Sequence, residues 1–241
     1  MLEHIGVNDG HTITGAGSGA IGRINESIET RKVGNIVRKL LSDMNYKVSN
    51  CTVDYANSSN EALNLIVQQA NRQDLDMFIS IHFNASGGRG VEAYTYEGRQ
   101  YEDAVNVCKN ISSLGFVNRG VKSGTGLYVV RKTSAKSILI EVCFVDSSDV
   151  DTYLKVGAYA VAKAIVEGIT GKKVVEKSKF PLPLKMKFDC PAVRINGNTI
   201  ELIKYFYKDE LITAIGELND TYVVSVNGIT GCIYKSATTN R

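Results

Sequence analysis

Nowhere in this chain do about 18–20 apolar residues run uninterrupted, the length a helix needs to cross a bilayer, so no membrane-spanning helix and no membrane partner are expected. The first ten residues, Met1 to Gly10, hold neither the basic stretch nor the apolar core of a secretory signal, and they enter a strand at once. The expectation is a protein made and kept in the cytoplasm. The five cysteines (Cys51, Cys108, Cys143, Cys190, Cys232) are odd in number, widely spaced and without a Cys-x-x-Cys pair. That spacing excludes a thiolate zinc knuckle and argues against a disulfide framework, leaving thiols that act as small buried hydrophobes. A net charge of +3 is too small to argue for nucleic acid. Its excess lies in Lys172, Lys173, Lys177 and Lys179 against Glu176, which reads as a solvated basic linker. The glycine-rich loop Thr14 to Gly22 lacks the Gly-Lys-Ser/Thr ending of a P-loop. Histidine is scarce as well, with three in the chain, His4, His11 and His82.

What is present is an ordinary globular composition, 44% hydrophobic and 22% charged, long enough for one sizeable α/β domain and a small companion. A strand through Ile5-Gly-Val7 turns at Gly10-His11 into the glycine-rich loop. Apolar residues at helical spacing (Val33, Ile36, Val37, Leu40, Leu41, Met44) predict a helix over 27–45. A strand over 46–51 and a helix over 61–72, capped by Asn57-Ser-Ser-Asn60, follow. Then come a strand over 77–81 ending in His82, a loop over 84–90 and a strand over 91–96. A helix over 99–114, strands over 127–130 and 137–144, and a helix over 150–169 complete the series. Such alternation predicts a mixed, largely parallel twisted sheet flanked by helices, with sites where strands end and loops begin. Domain boundaries are expected at 1–171, with a linker over 172–182; the basic stretch from Lys172 to Pro183 holds two of the three prolines. Residues 183–241 read as a small all-β, SH3-like module. Its strands are expected over 184–188, 192–195, 199–203, 211–218, 221–226 and 229–234, with turns at Asn196-Gly-Asn198, Asn219-Asp220 and Asn227-Gly228.

The strand Ser137-Ile-Leu-Ile-Glu-Val-Cys-Phe144 holds a carboxylate, Glu141, where its neighbours predict a buried apolar element. Such a group is expensive unless a metal, a cation or a bound water compensates it. His11, Glu26 and His82 form a His/Glu/His set of the kind that holds catalytic zinc with one position open for water. Glu141 is then available as the base. Singly, each has a structural reading: a Gly-His turn, a glutamate at a helix start, a satisfied core histidine. Their joint placement at the ends of core elements favours a site. His4, inside the first strand, reads as structural. Alternation puts Cys143 on the same side of its strand as Glu141, within reach of a metal, although a buried thiol is the simpler role. The glycine-rich loop either brings Glu26 round to the metal or is a mobile surface loop.

In order along residues 3–170, five blocks resemble the zinc-dependent N-acetylmuramoyl-L-alanine amidases of the amidase-3 type. They are Gly10-His11, Glu26, Ser80-Ile-His-Phe-Asn-Ala85, Asn118-Arg-Gly-Val-Lys122 and Leu139-Ile-Glu-Val-Cys-Phe-Val145. The resemblance implies that His11, Glu26 and His82 hold Zn2+ and that Glu141 is the catalytic glutamate. Asn84 and Arg119 fall in matching blocks as candidate substrate contacts. Two departures remove no ligand: Asn8-Asp-Gly-His-Thr-Ile13 stands where the family shows Asp-Pro-Gly-His-Gly-Gly, and Cys143 replaces a glycine.

The implied substrate is peptidoglycan of Gram-positive bacteria, cut between N-acetylmuramic acid and L-alanine. By position, the C-terminal module would bind wall glycan, with Tyr205, Phe206, Tyr207 and Tyr222 as stacking candidates; the alternative is a structural or dimerising appendage. A lytic enzyme without a signal peptide resembles a bacteriophage endolysin, which reaches the wall after membrane disruption. A host autolysin of the same chemistry, a zinc peptidase acting on the stem peptide and an inactive wall-binding protein remain alternatives, and a homo-oligomer is compatible with each.

Overall fold

The computed structural model describes residues 2–175, 181–196 and 199–240, and the chain divides into two compact units, Met1–Val174 and Val175–Arg241. Residues 176–180 of the expected linker, and 197–198 of the expected turn, lie outside the described residues.

The first unit runs β1 (His4–Asp9), β2 (Thr14–Gly15), α1 (Glu26–Asp43), β3 (Lys47–Asn50), β4 (Tyr55–Ala56), α2 (Ser59–Asn71), β5 (Met77–Asn84) and β6 (Val91–Thr95). It continues with a 3-10 turn (Tyr96–Gly98), α3 (Glu102–Ser112), β7 (Asn118–Ser123), α4 (Tyr128–Lys132), β8 (Lys136–Phe144) and α5 (Asp149–Thr170). Six strands form one mixed sheet in the order β3-β1-β5-β8-β6-β7. β3, β1, β5 and β8 are mutually parallel; β6 joins β8 antiparallel, and β7 joins β6 parallel. The expected α/β sheet flanked by helices is therefore present. β2 and β4 pair as a separate two-residue parallel bridge, which pins the glycine-rich loop at one point.

Period-two alternation sorts the strands' side chains onto two faces. Met77, Ile79, Ile81 and Phe83 of β5, with Ile138, Ile140 and Val142 of β8, join a cluster with Val33, Val37 and Leu41 of α1, Val107 and Ile111 of α3, and Ile165 of α5. On the opposite face Phe78 and Leu139 meet Ile66 and Val67 of α2 and Val129 and Val130 of α4. His82 and Glu141 have the parity of this second, thinner face. Full burial of a Val, Leu, Ile or Phe side chain contributes about 1.5–3 kcal/mol, so these two layers supply the main stabilising term.

The helix starts follow from their caps. The Asn25 side chain accepts from Ile28 N at 3.2 Å, with Glu26 and Glu29 in the first turn of α1; Ser58 accepts from Glu61 N at 3.1 Å at the start of α2.

Several expectations are corrected. The segment 127–130, with two adjacent valines, is predicted as a strand, but Tyr128–Lys132 is a short helix. Arg131 N donates to Leu127 O at 3.0 Å, and both valines bury against Phe78 and Leu139, so packing overrides β propensity. The helix expected from Arg99 starts at Glu102, because Glu97 has φ 56° and Arg99 is extended. The strand expected to end in His82 continues to Asn84. β7 was not anticipated: it is a polar edge strand, charged as exposed edges usually are, and it carries no alternation to read.

Cys143 does not face the same side as Glu141. His82 pairs with Glu141 and Asn84 with Phe144, so β8 carries one extra residue, and this bulge turns Cys143 into the cluster that holds Val142. Burial raises its thiol far above the ordinary range. The buried-thiol reading stands.

The second unit is an all-β antiparallel sheet. It contains β9 (Leu182–Met186), β10 (Cys190–Asn196), β11 (Thr199–Phe206), β12 (Leu211–Leu218), β13 (Thr221–Val226), β14 (Ile229–Tyr234) and, after a 3-10 turn (Lys235–Ala237), β15 (Thr238–Asn240). The strand order is β11-β10-β14-β13-β12-β9-β15, and every recorded pair is antiparallel. Leu184, Met186, Ala192, Phe206, Ile212, Ala214, Val224 and Ile233 form its core. Phe206 is therefore a core residue. Tyr205 and Tyr207 are exposed, with ring centroids 5.6 Å apart.

Candidate metal centre

His11 lies one residue beyond Gly10, the glycine that follows the end of β1, in a left-handed conformation (φ 64°) that a β-carbon disfavours, and such strain concentrates at functional positions. The turn requires glycine just before it: a β-carbon on Gly10 would stand 2.5 Å from the Ile81 carbonyl and 2.6 Å from the His82 ring. Glu26 is the first residue of α1, and His82 lies near the end of β5. The described residues thus bring all three together, with one ligand atom from each lying within 4.8 Å of the others.

Hydrogen bonds fix which atoms face inward. The His11 ring meets the Gly17 carbonyl through Nδ1 at 3.0 Å; a carbonyl only accepts, so Nδ1 carries the proton and Nε2 is bare. That Nε2 lies 3.1 Å from Glu26 Oε1. Ser80 Oγ donates to Asn8 Oδ1 at 2.7 Å and so accepts from His82 Nε2 at 3.1 Å, leaving Nδ1 bare, 3.2 Å from the same Glu26 Oε1. Asn8 is held in turn by its Nδ2, which donates to Cys51 O at 3.1 Å. Two unprotonated ring nitrogens and one carboxylate oxygen therefore converge, with outer partners that set each tautomer. Glu26 also accepts from Phe83 N on Oε1 at 3.0 Å and from Ala20 N on Oε2 at 2.8 Å. The glycine-rich loop closes over it: a β-carbon on Gly19 would stand 2.7 Å from Glu26 Oε2.

The charge states follow. Burial alone would raise the Glu26 pKa, but the hydrogen bonds that His11 Nε2 and His82 Nδ1 donate to it whenever they carry a proton in place of facing a metal ion outweigh burial and hold the carboxyl well below its usual range. Burial opposes a charged His11, yet Glu26 wins and raises its pKa, whereas burial dominates at His82 and lowers it.

Glu141 is the register partner of His82 on β8. Its Oε2 is buried and has no hydrogen-bond partner among the described residues. Burial, then the charges of Glu26 and Glu92, push its pKa up to about 8. An orphaned carboxylate beside three convergent ligand atoms is what a cation with a bound water would satisfy, and a His/His/carboxylate donor set suits zinc. The residues present fit such an ion.

Beside the histidines opens a cavity of about 430 Å³, walled by Ala62, Leu63, Ile66, Leu127, Val129 and Leu139. The other two expected residues meet at Glu92, the register partner of Glu141 on β6. Asn84 Nδ2 donates to Glu92 Oε1 at 2.7 Å, and Arg119 Nε donates to Glu92 Oε2 at 2.6 Å. Both are thus anchored on Glu92, a buried carboxylate that the sequence reading missed, as it missed Ser80 and Asn8 in this role. An acidic residue at an inward position of a strand otherwise apolar, the signal that revealed Glu141, would have found Glu92 in Val91-Glu-Ala93. His4 is structural: its ring nitrogens meet Asp74 O at 2.7 Å and Ser49 Oγ at 2.8 Å.

Comparison with known proteins places this geometry. An uncharacterised protein of Clostridium perfringens (strain 13 / Type A) is 34% identical over 184 residues, covering 73% of this chain and 54% of its own. The chain therefore spans about half the length of that relative. The endolysin of Bacillus phage SPP1 is 31% identical over 185 residues, covering 70% of this chain and 65% of its own. Among solved structures, the catalytic domain of the CD27L endolysin, described as targeting Clostridia difficile, superposes with a TM-score of 0.67 at 28% identity, covering 72% of this chain and 99% of that domain. The family model described as N-acetylmuramoyl-L-alanine amidase (Amidase_3) matches residues 5–171, and with both the fold and the His/Glu/His constellation inside that span, the chain belongs to this family.

Proposed function

We propose that the protein is a zinc-dependent hydrolase that cuts the peptidoglycan amide joining the lactyl group of N-acetylmuramic acid to L-alanine. The observation that carries this reading is the convergence of three ligand atoms beside the unpartnered buried carboxylate of Glu141, in a chain of the amidase family. His11 Nε2, His82 Nδ1 and Glu26 Oε1 would hold the ion. Zinc in such a site lowers the pKa of a water toward about 7 and polarises a carbonyl. Glu141 takes the proton of the attacking water on Oε2, holds it in a buried pocket, and delivers it to the nitrogen of the departing alanine. A carboxyl that releases its proton near neutral pH suits both halves of that cycle. The cavity wall orients the apolar parts of the substrate and keeps bulk water from the transferred proton.

Incubation of the purified protein with muropeptides, with zinc and with a chelator, tests this. New alanine amino groups in the zinc arm alone support it. Release of a terminal amino acid with the lactyl amide intact identifies a stem peptidase instead, and no product identifies a wall-binding protein.

The likeness to endolysins favours a lytic role on Gram-positive walls, exerted from the cytoplasm after membrane disruption; an autolysin would share the chemistry. In the same proposal the C-terminal unit is an SH3-like binder of wall glycan, for which the exposed Tyr205 and Tyr207 rings supply stacking faces. Residues 1–171 then form the catalytic domain, 172–182 the linker and 183–241 the wall-binding module.

A further inference from the structure

One row of charged side chains crosses the sheet on the face of the candidate metal centre. Register pairs His82 with Glu141, and Glu141 with Glu92 on β6. Direct cross-strand partners share a face. The next strand, β7, brings Arg119 and Lys122 to the end of this row.

Glu92 is 2% exposed, and four side chains donate to it. Asn84 Nδ2 at 2.7 Å and Tyr94 Oη at 2.8 Å reach Oε1; Arg119 Nε at 2.6 Å and Lys122 Nζ reach Oε2. Two cations on one carboxylate exceed what neutralising it needs, and they leave a local charge of +1 beside the site. Arg119 commits only its Nε. Its two terminal Nη groups donate to nothing among the described residues; the side chain is 36% exposed, and its guanidinium lies 5.2 Å from the centre of the Phe144 ring. A guanidinium anchored through Nε and braced on a ring presents its open edge in a fixed plane, the geometry that reads a carboxylate.

We propose that Glu92 is a positioning residue that holds Arg119 to bind the free carboxylate of the stem-peptide residue following the scissile alanine. The inference rests on the amidase function proposed above and names the substrate form that the same site prefers. Reach agrees. Two strand spacings separate β8 from β7, about 10 Å, and two residues of extended peptide span about 7 Å, a gap that the long arginine side chain closes. An amidated stem places a carboxamide there, which offers no charge to Arg119 and sets an N–H donor against another donor.

The test compares two soluble substrates whose second residue has its γ-carboxyl tied up in a peptide bond, N-acetylmuramoyl-L-alanyl-γ-D-glutamyl-L-lysinamide with a free α-carboxylate and its α-amidated D-isoglutaminyl counterpart, with the zinc-loaded full chain. A hydrogen bond to a charged group contributes about 1.5–3 kcal/mol, so kcat/KM for the carboxylate form should exceed that for the amide by about tenfold or more, mainly through KM. In Arg119→Gln this ratio should fall to near one. Lys122 still compensates Glu92 in that variant, so it should fold, as thermal unfolding will check. In Glu92→Gln the ratio should also fall, although Arg119 remains. Equal cleavage of the two substrates by the unmodified protein, or a ratio unchanged in Arg119→Gln, overturns the carboxylate subsite and leaves the amidase reading intact. A full ratio retained in Glu92→Gln overturns the positioning role. Hydrolysis of neither substrate overturns the amidase reading, and this inference with it.

Discussion

Glu141 lies between Ile140 and Val142 with a buried oxygen that no group among the described residues bonds, a placement that costs free energy in the protein alone. Glu141→Gln, which keeps the shape and removes the base, should lower turnover by about 10²–10⁴-fold while zinc content by elemental analysis stays at one ion per chain. His82→Ala should lose the ion itself. Ser80→Ala removes the acceptor that fixes the His82 tautomer and should weaken zinc affinity by about 10–100-fold in a competition titration. Titration of Glu141 gives a further prediction for the chelated protein. Its folded pKa of about 8 lies above the ordinary carboxylate value, so between pH 5 and 8 the folded state binds more protons than the unfolded state. Its contribution to stability is thus complete at low pH and is lost as pH rises through about 8. Denaturant melts of the chelated protein should show stability falling over this window, with a smaller fall in Glu141→Gln. Equal slopes in the two proteins would remove the buried-carboxylate account.

At the scale of elements, the site depends on where strands and helices begin and end. Asn25 caps α1 and so sets the position of Glu26, the first helical residue. Asn25→Ala should cost about 1 kcal/mol in chemical denaturation and should weaken zinc retention as well, because the frayed turn carries a ligand. Helices with strong apolar periodicity, such as α1 through Val33, Val37 and Leu41, were legible because their own spacing encodes the buried face. β7 and α4 were not legible from sequence. Asn118-Arg-Gly-Val-Lys-Ser123 is an edge strand with no alternation, and Val129-Val130 took the helical form because Phe78 and Leu139 offered a surface that a helical turn fills. The bulge beyond Glu141 was likewise invisible, since one extra residue in β8 shows only when its pairing with β5 is known.

For the whole molecule, each unit has its own apolar core, one built on the mixed sheet and one on the antiparallel sheet. A chain ending at Val174 should therefore keep hydrolysis of soluble muropeptides and lose affinity for intact walls in a sedimentation assay, if the second unit concentrates the enzyme on the polymer. Loss of soluble activity in that truncation would show that the second unit does more than tether.

By itself the sequence determined the alternation of strands and helices, the all-β character of the C-terminal segment, and the scarce residues able to hold a metal, because periodicity and residue chemistry are local properties. Tertiary structure alone decided which nitrogen of each histidine is bare, that Cys143 turns away from Glu141, and that Glu92 gathers Asn84, Arg119 and Lys122. Each of these depends on partners brought from elsewhere in the chain or on the register between strands, and neither is written in the residues taken one segment at a time.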